Sequence, residues 1–260
     1  MNDQTAPSPE GIPAATIVIF RRGQPGGPPE ILMTIRSRNM VFAGGMAVFP
    51  GGRVDAADYE LGQRLAAHLD PVEAAHQIAA VRETLEETGL VIGLAGLIDA
   101  ARARAARDML LETGQLAPVL EHFGWSLDLA QITPFARWYP KNERIPRVYD
   151  TRFYLADLGT GAVEIEADLS ENTHLFWTSA QGALEAADAG GIKVIFPTRR
   201  NLERLAQFGS FEEARAHAEA IPVRTITPYI GERDGKPWLF IGDDLGYPVT
   251  GEPLDSVARG

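Results

Sequence analysis

The 260-residue chain contains no cysteine. Disulfides, thiolate metal sites and a cysteine nucleophile are therefore excluded, and no oxidative cross-link holds the fold. Positive charge is also scarce: 24 Lys and Arg stand against 35 Asp and Glu, for a formal net charge of −11. A basic footprint for phosphate backbones is missing, which argues against nucleic acid as a partner. Any anionic phosphate handled here therefore needs a divalent cation or local arginines to offset repulsion. Long apolar runs are missing too. A run such as residues 14–20 is far too short to span a bilayer, so no membrane partner is expected. Residues 1–13 are polar, carry Pro and Gly, and lack an apolar h-region, so they are expected to form a flexible tail rather than a signal peptide. The last residues, Val257-Ala258-Arg259-Gly260, carry no retention or peroxisomal address. These absences suit a cytoplasmic protein. No fixed-period repeat or low-complexity tract interrupts the chain.

The rest is ordinary globular composition, 45% hydrophobic and 23% charged, long enough to bury a real core. Residues 15–22 and 30–36 are β-rich and flank a Gly/Pro turn, which predicts a hairpin. Residues 46–49 resume the strand pattern before Pro50-Gly51-Gly52 ends it, and residues 55–69 suggest a short helix. Residues 71–88 predict a stronger helix, with Asp70 as cap, Pro71 in the first turn and Gly89 as the stop. Further helices are expected over 99–113, 116–123, 179–187, 198–208 and 211–220. Further strands are expected over 131–139, 148–155, 174–178, 223–229 and 237–241. Strands before and after helices indicate a mixed α/β (α+β) domain with helical insertions. The expected organisation is a tail over 1–12, a single domain over 13–245 with insertions near 56–70 and 99–124, and a C-terminal tail over 246–260.

The informative segment is Arg82-Glu83-Thr84-Leu85-Glu86-Glu87-Thr88-Gly89-Leu90. On a helix, Glu83, Glu86 and Glu87 fall at i, i+3 and i+4, on one face. Three like charges near a helix C-terminus destabilise an isolated helix, unless a cation sits among them. An acidic run alone is more often a solvated face. Here, however, Phe49-Pro50-Gly51-Gly52 stands upstream, where glycines let the backbone approach a ligand or offer a carbonyl to a metal. Hard ions such as Mg²⁺ take carboxylate oxygens and suit phosphate chemistry.

Gly52 together with Arg82-Glu83-x-x-Glu86-Glu87-x-Gly89-Leu90 resembles the Nudix box, G-x5-E-x7-R-E-U-x-E-E-x-G-U with U apolar. The resemblance implies a Nudix-type α/β/α sandwich with a mixed sheet. It also implies a Mg²⁺- or Mn²⁺-dependent hydrolase of diphosphates. By that resemblance Glu83, Glu86 and Glu87 bind the metal, the Gly51 carbonyl adds a ligand, and Arg82 braces the glutamates. Thr84 stands where the box prefers an aliphatic residue. The family places the box glycine fourteen residues before the arginine, whereas Gly52 and Arg82 lie thirty apart, so about sixteen residues are inserted. The early box glutamate would fall at Ala74. The neighbouring Glu73 would point about 100° away around the helix. The usual brace of the arginine is therefore unassigned.

Residues 32–37 (Leu-Met-Thr-Ile-Arg-Ser), Gly45 and Phe49-Pro50-Gly51-Gly52 resemble the pre-box signature of coenzyme A diphosphatases, with Val41 in place of its second arginine. Trp138-Tyr139-Pro140, residues 147–154 and residues 197–202 (Pro-Thr-Arg-Arg-Asn-Leu) resemble the CoA/acyl-CoA diphosphatase branch. This implies cleavage of CoA or acyl-CoA to 3′,5′-ADP and (acyl-)4′-phosphopantetheine, with Arg36, Ser37, Arg38 and Gly52 at the substrate. Arginines suit forked phosphate contacts. Glu171, six residues before Trp177, is a candidate base, alongside Glu83 or Glu87. Trp138 and Tyr139 could stack on an adenine, although strand aromatics more often belong to the core. Asp150 is expected to cap or to pair with an arginine. The five histidines show no ligand spacing and read as structural. Two other functions stay open: a diphosphatase for NADH, ADP-ribose or a dinucleotide, and a non-catalytic Nudix-fold binding module. The expected partner is a small nucleoside diphosphate derivative, and a homodimer is left open.

Overall fold

The computed structural model describes residues 11–37, 43–141, 148–158 and 172–257. In chain order it contains β1 (Ile12–Arg21), β2 (Glu30–Arg36), β3 (Ala47–Val48), β4 (Gly51–Arg53), α1 (Ala56–Leu65), α2 (Pro71–Thr88), β5 (Leu94–Ala95), α3 (Ala100–Thr113), α4 (Leu116–Phe123) and β6 (Ser126–Leu127). There follow β7 (Ile132–Trp138), β8 (Tyr149–Asp157), β9 (Asn172–Thr178), α5 (Ala180–Asp188), α6 (Phe196–Leu205), α7 (Phe211–Ala220), β10 (Thr225–Ile226), β11 (Tyr229–Arg233), β12 (Lys236–Phe240) and β13 (Gly251–Pro253).

Eight strands form one mixed sheet, ordered β10-β7-β8-β1-β2-β3, with β4 also paired to β1 and β9 to β2. The β1–β8 and β10–β7 pairs are parallel and the others antiparallel. Alternation along β1 divides the core. Ala15, Ile17 and Ile19 face α2 and share one buried cluster with Leu61 of α1, Ile78 of α2, Leu110 of α3 and Val119 of α4. Val18 and Phe20 face the other way, toward Ala183 of α5, Leu202 of α6 and Ala214 of α7. The result is the expected α/β/α sandwich. Burying both sheet faces explains why β1 reads as an almost continuous apolar run.

The hairpin forms as expected, with Phe20 opposite Ile31 and Arg21 opposite Glu30. Past that point the two strands separate and β4 takes the place beside β1, with Gly52 opposite Ala15 and Gly51 opposite Thr16. The glycine stretch expected only to end a strand is therefore a strand itself. Two glycines carry no hydrophobic alternation, so nothing in the pattern announces it. Gly51 has φ +154, and a Cβ there would stand 2.3 Å from the Ala15 carbonyl oxygen. Only glycine lets the two backbones approach this closely.

The single strand expected over 223–229 is divided into β10, which joins the main sheet, and β11, which opens a separate three-stranded sheet. Pro228 lies between them and has no N–H to extend either ladder. The stretch from 246 onward, expected as a tail, carries β13 and the buried Tyr247. Ile12 and Pro13, at the edge of the expected N-terminal tail, belong to β1. No helix among the described residues is long and apolar enough to cross a membrane.

Candidate active site

The site is built on α2. Asp70 accepts from the Val72 and Glu73 amides at 3.1 and 3.0 Å, Pro71 fills the first turn, and Gly89 closes the helix at φ 74. These caps satisfy end groups that a helix cannot satisfy internally. Arg107 of α3 adds a bond from Nε to the Glu86 carbonyl at 2.8 Å. A cation there also complements the negative end of the helix. Most α2 side chains are buried, and Ile78, Ala79, Val81 and Leu85 lie in the core beside β1. A helix clamped at both ends and along one face can hold charged side chains in fixed positions.

Those side chains converge on the glycines of β4. Glu87 is buried, and its carboxylate accepts the Gly51 amide at 2.9 Å. The contact shown for Gly51 is thus through its N–H. Glu83 lies against Gly52, where a Cβ would stand 2.3 Å from the Glu83 carboxyl carbon. Arg82 is 4% exposed and accounts for all five of its N–H donors. Nε reaches Asp58 at 3.1 Å, Nη1 reaches Glu83 at 2.9 Å and Glu86 at 3.4 Å, and Nη2 reaches the Arg53 carbonyl at 2.8 Å and Asp58 at 3.0 Å. Glu86 is the more open carboxylate, at 29%.

Three carboxylates, of Asp58, Glu83 and Glu86, crowd one buried guanidinium. Burial pushes the Glu83 carboxyl up to about 8; the charges of Glu87 and Glu86 add to this and Arg82 opposes it. For Arg82 burial acts downward, but the hydrogen bonds to Asp58 and the charges of Glu83, Asp58 and Asp55 outweigh it and raise the pKa. Among the described residues, no three acidic or histidine side chains are grouped as a ready cation cage. Arg82 sits between Glu83 and Glu86, and Glu87 is turned to the Gly51 amide. The donor set nevertheless fits a hard divalent ion: carboxylate oxygens, two of them on glycines that leave room at the backbone.

Gly52→Ala tests the closeness of this packing. The added methyl meets the far end of the Glu83 side chain, which can shift along Arg82, and not backbone, so the fold should survive. Expected is a melting temperature within about 3 °C of the parent and at least about tenfold lower turnover, since a shift of an ångström can cost on the order of a hundredfold. Unchanged turnover would remove Glu83 from the reactive geometry.

The other expected residues are less tightly drawn together. Arg36 ends β2, where its amide and carbonyl bond Met46 and Gly45. Alternation from Leu32 places Thr34 and Arg36 on the sheet face that carries α2. The Thr34 hydroxyl and Arg36 Nε are buried without a hydrogen-bond partner among the described residues. Ser37 follows at partial exposure. Arg38 and Glu171 lie outside the described residues, as does Val41. Glu73 points away from Arg82, as expected, and bonds Arg152, Tyr154 and Gln77. Asp150 pairs with Arg137 through two bonds of 2.8 and 2.6 Å. Trp138 is a core residue, 1% exposed, and its indole N–H reaches Asn201 and Tyr247.

One residue of the site escaped sequence reasoning altogether. Asp58, 2% exposed, lies in the inserted helix α1. Its sequence signal is slight: an aspartate three residues into a helix headed by Asp55, which is also an ordinary capping position.

No family model matches the chain. The chain is 27% identical to the acyl-coenzyme A diphosphatase NUDT19 of Gallus gallus, over 92% of this chain and 81% of that protein. Among solved structures it is similar to a Nudix hydrolase from Alicyclobacillus acidocaldarius, with a TM-score of 0.67, 25% identity, and coverage of 80% of this chain and 96% of that one. Box residues, fold and relatives point the same way: the chain resembles the Nudix hydrolases, a resemblance that supports a diphosphatase enzyme, and it is similar to the CoA-diphosphatase branch.

Proposed function

We propose that the protein is a divalent-metal-dependent diphosphatase that cleaves CoA or acyl-CoA to 3′,5′-ADP and (acyl-)4′-phosphopantetheine. The observation that carries this reading is the set of buried carboxylates of α2 packed on Gly51 and Gly52. Glu83, Glu86 and Glu87 would hold Mg²⁺ or Mn²⁺, with the Gly51 carbonyl as a further ligand. When bound, the ion lowers the pKa of a water and neutralises charge on the bridging oxygens. The water oxygen bonds to one phosphorus, the P–O bond of the bridge breaks, and the leaving phosphate keeps the bridging oxygen. A carboxylate takes the proton released by the water, and Glu171, Glu83 and Glu87 are the candidates. Arg82 fixes Glu83 and Glu86 in place. Arg36, Ser37, Arg38 and Gly52 would meet the substrate.

Two further observations support an anionic substrate of this class. Buried, unpartnered donors at Thr34 and Arg36 stand on the α2 face of the sheet, and unpaired buried donors are costly unless a ligand or water satisfies them. The CoA assignment is supported by the pre-box pattern and by the similarity to the acyl-coenzyme A diphosphatase of Gallus gallus. Val41, standing where that pattern has a second arginine, favours a second reading: NADH, ADP-ribose or a dinucleotide as substrate. The same reading includes a cytoplasmic location for a single hydrolase domain that runs from β1 through β13, with a homodimer left open.

The test is hydrolysis of CoA, acetyl-CoA, NADH and ADP-ribose with Mg²⁺ or Mn²⁺, with products identified by mass. The expected result is 3′,5′-ADP from CoA or acetyl-CoA, faster than any other cleavage, and none after chelation. Cleavage of NADH or ADP-ribose alone would discard the CoA reading. Metal binding without any cleavage would favour a binding module.

A further inference from the structure

A buried guanidinium is stable only where its charge and its N–H groups are matched. Around Arg82 the matching has two parts. Glu83 and Glu86 are the carboxylates proposed to hold metal, so they cannot serve Arg82 alone. Asp58 has no such second duty. Its two oxygens take Nε and Nη2 of Arg82 side by side, at 3.1 and 3.0 Å, the two-point geometry that fixes a guanidinium plane as well as its position. Asp55 stands farther off, at 3.6 Å, and is 54% exposed.

Asp58 is itself held. The Asp55 amide donates to its Oδ2 at 2.9 Å, so the carboxylate is locked to the first turn of α1. Helix α1 in turn lies directly on α2: a Cβ on Gly62 would stand 3.1 Å from the Ala74 methyl. Ala74 is fully buried there, at the α2 position eight residues before Arg82. A glutamate at Ala74 would collide with α1, and the neighbouring Glu73 is already taken by Arg152, Tyr154 and Gln77. The helix that covers position 74 thus delivers a carboxylate from above.

We propose that Asp58, supplied by the inserted helix α1, is the positioning residue for Arg82, and through Arg82 for Glu83 and Glu86. The proposal rests on the reading of these glutamates as the reactive centre. It gives the insertion a role: α1 completes the site rather than decorating it.

The experiment measures kcat, KM, Mn²⁺ affinity by calorimetry and thermal melting in the full chain. The variants are Asp58→Asn, Arg82→Lys, the double variant and Leu61→Ala. Asp58→Asn keeps the shape and removes the charge and one acceptor. It is expected to lower kcat and Mn²⁺ affinity by about 10–100-fold, the usual range for partners that orient metal ligands, with KM changed less than about twofold. In the Arg82→Lys background the same substitution should cost little more, because its effect passes through Arg82. Leu61→Ala removes a buried side chain of α1 without touching Arg82, so it should lower the melting temperature and leave kcat and Mn²⁺ affinity near the parent values. Parental kcat and Mn²⁺ affinity in Asp58→Asn would overturn the proposal, as would full additivity with Arg82→Lys or an equal kcat loss in Leu61→Ala. Should Asp58→Asn fail to fold, Asp58→Glu moves the carboxylate by one methylene: reduced kcat and affinity are expected, and parental values overturn the proposal. A parent chain that cleaves no diphosphate would instead overturn the reading of the site, whereas Asp58→Asn as active as a working parent overturns only the role of Asp58.

Discussion

Glu86→Gln should lower turnover by on the order of a thousandfold while leaving the melting temperature within about 3 °C of the parent. The side chain keeps its shape. Its carboxylate is partly exposed, so an amide there suffers little desolvation, and the 3.4 Å contact with Arg82 Nη1 keeps an oxygen acceptor. What disappears is one negative charge at the open side of the cluster. Glu83 is packed on Gly52 and Glu87 accepts the Gly51 amide, whereas Glu86, at 29%, is the most exposed of the three. On the metal reading it is the carboxylate most open to an ion arriving from solvent. A glutamine is a far weaker ligand for a hard cation, and a thousandfold corresponds to about 4 kcal/mol of lost transition-state stabilisation. Steady-state rates beside a melting curve decide the matter. Turnover within about tenfold of the parent would sink the mechanism, and a large loss of melting temperature would make Glu86 a structural residue.

The largest effect on stability is expected from Trp138→Ala. Trp138 meets Phe196 and Tyr247 edge-on at 6.0 and 5.8 Å, and its N–H is shared between Asn201 and the Tyr247 hydroxyl at 3.3 and 3.2 Å. It therefore ties β7 to α6 and to the chain beyond β12. Truncating a buried tryptophan costs about 3–5 kcal/mol, and in a chain of this size that lowers the melting temperature by on the order of ten degrees. The Tyr247–Asn201 bond of 2.6 Å survives, so the polar pair is not orphaned and the loss is mainly packing. Trp138→Phe should recover much of the stability. Both variants should keep the KM of the parent at temperatures where they are folded. A raised KM with unchanged melting would restore Trp138 to the substrate as a stacking platform.

The contrast between these residues shows which signals the sequence carries. The course of α2, its two caps and the placing of Glu83, Glu86 and Glu87 on one face all follow from features within about eighteen residues of one another. Capping preference, helical period and turn chemistry are local, so they can be read along the chain. Strands β1 and β2 are legible for the same reason, since apolar β-branched runs bounded by Gly and Pro need no distant partner to be recognised. The resemblance of the box to a known family added the chemistry, because spacing alone leaves an acidic helix face as the simpler reading.

The remainder required partners far apart in sequence. Strand β4 exists because two glycines let it lie against β1, some thirty-five residues away, and glycine has no pattern to reveal that choice. Trp138 belongs to the core because Asn201 and Tyr247, from two later segments, arrive at its indole. The brace of Arg82 was invisible from the box, where Ala74 stands, and became visible only when α1 folded back over α2. Local preference determined that a carboxylate-bearing helix would form and where it would begin and end. Tertiary packing alone decided which carboxylate would neutralise its buried arginine, because pairing a buried charge depends on what the rest of the chain brings within about 3 Å of it.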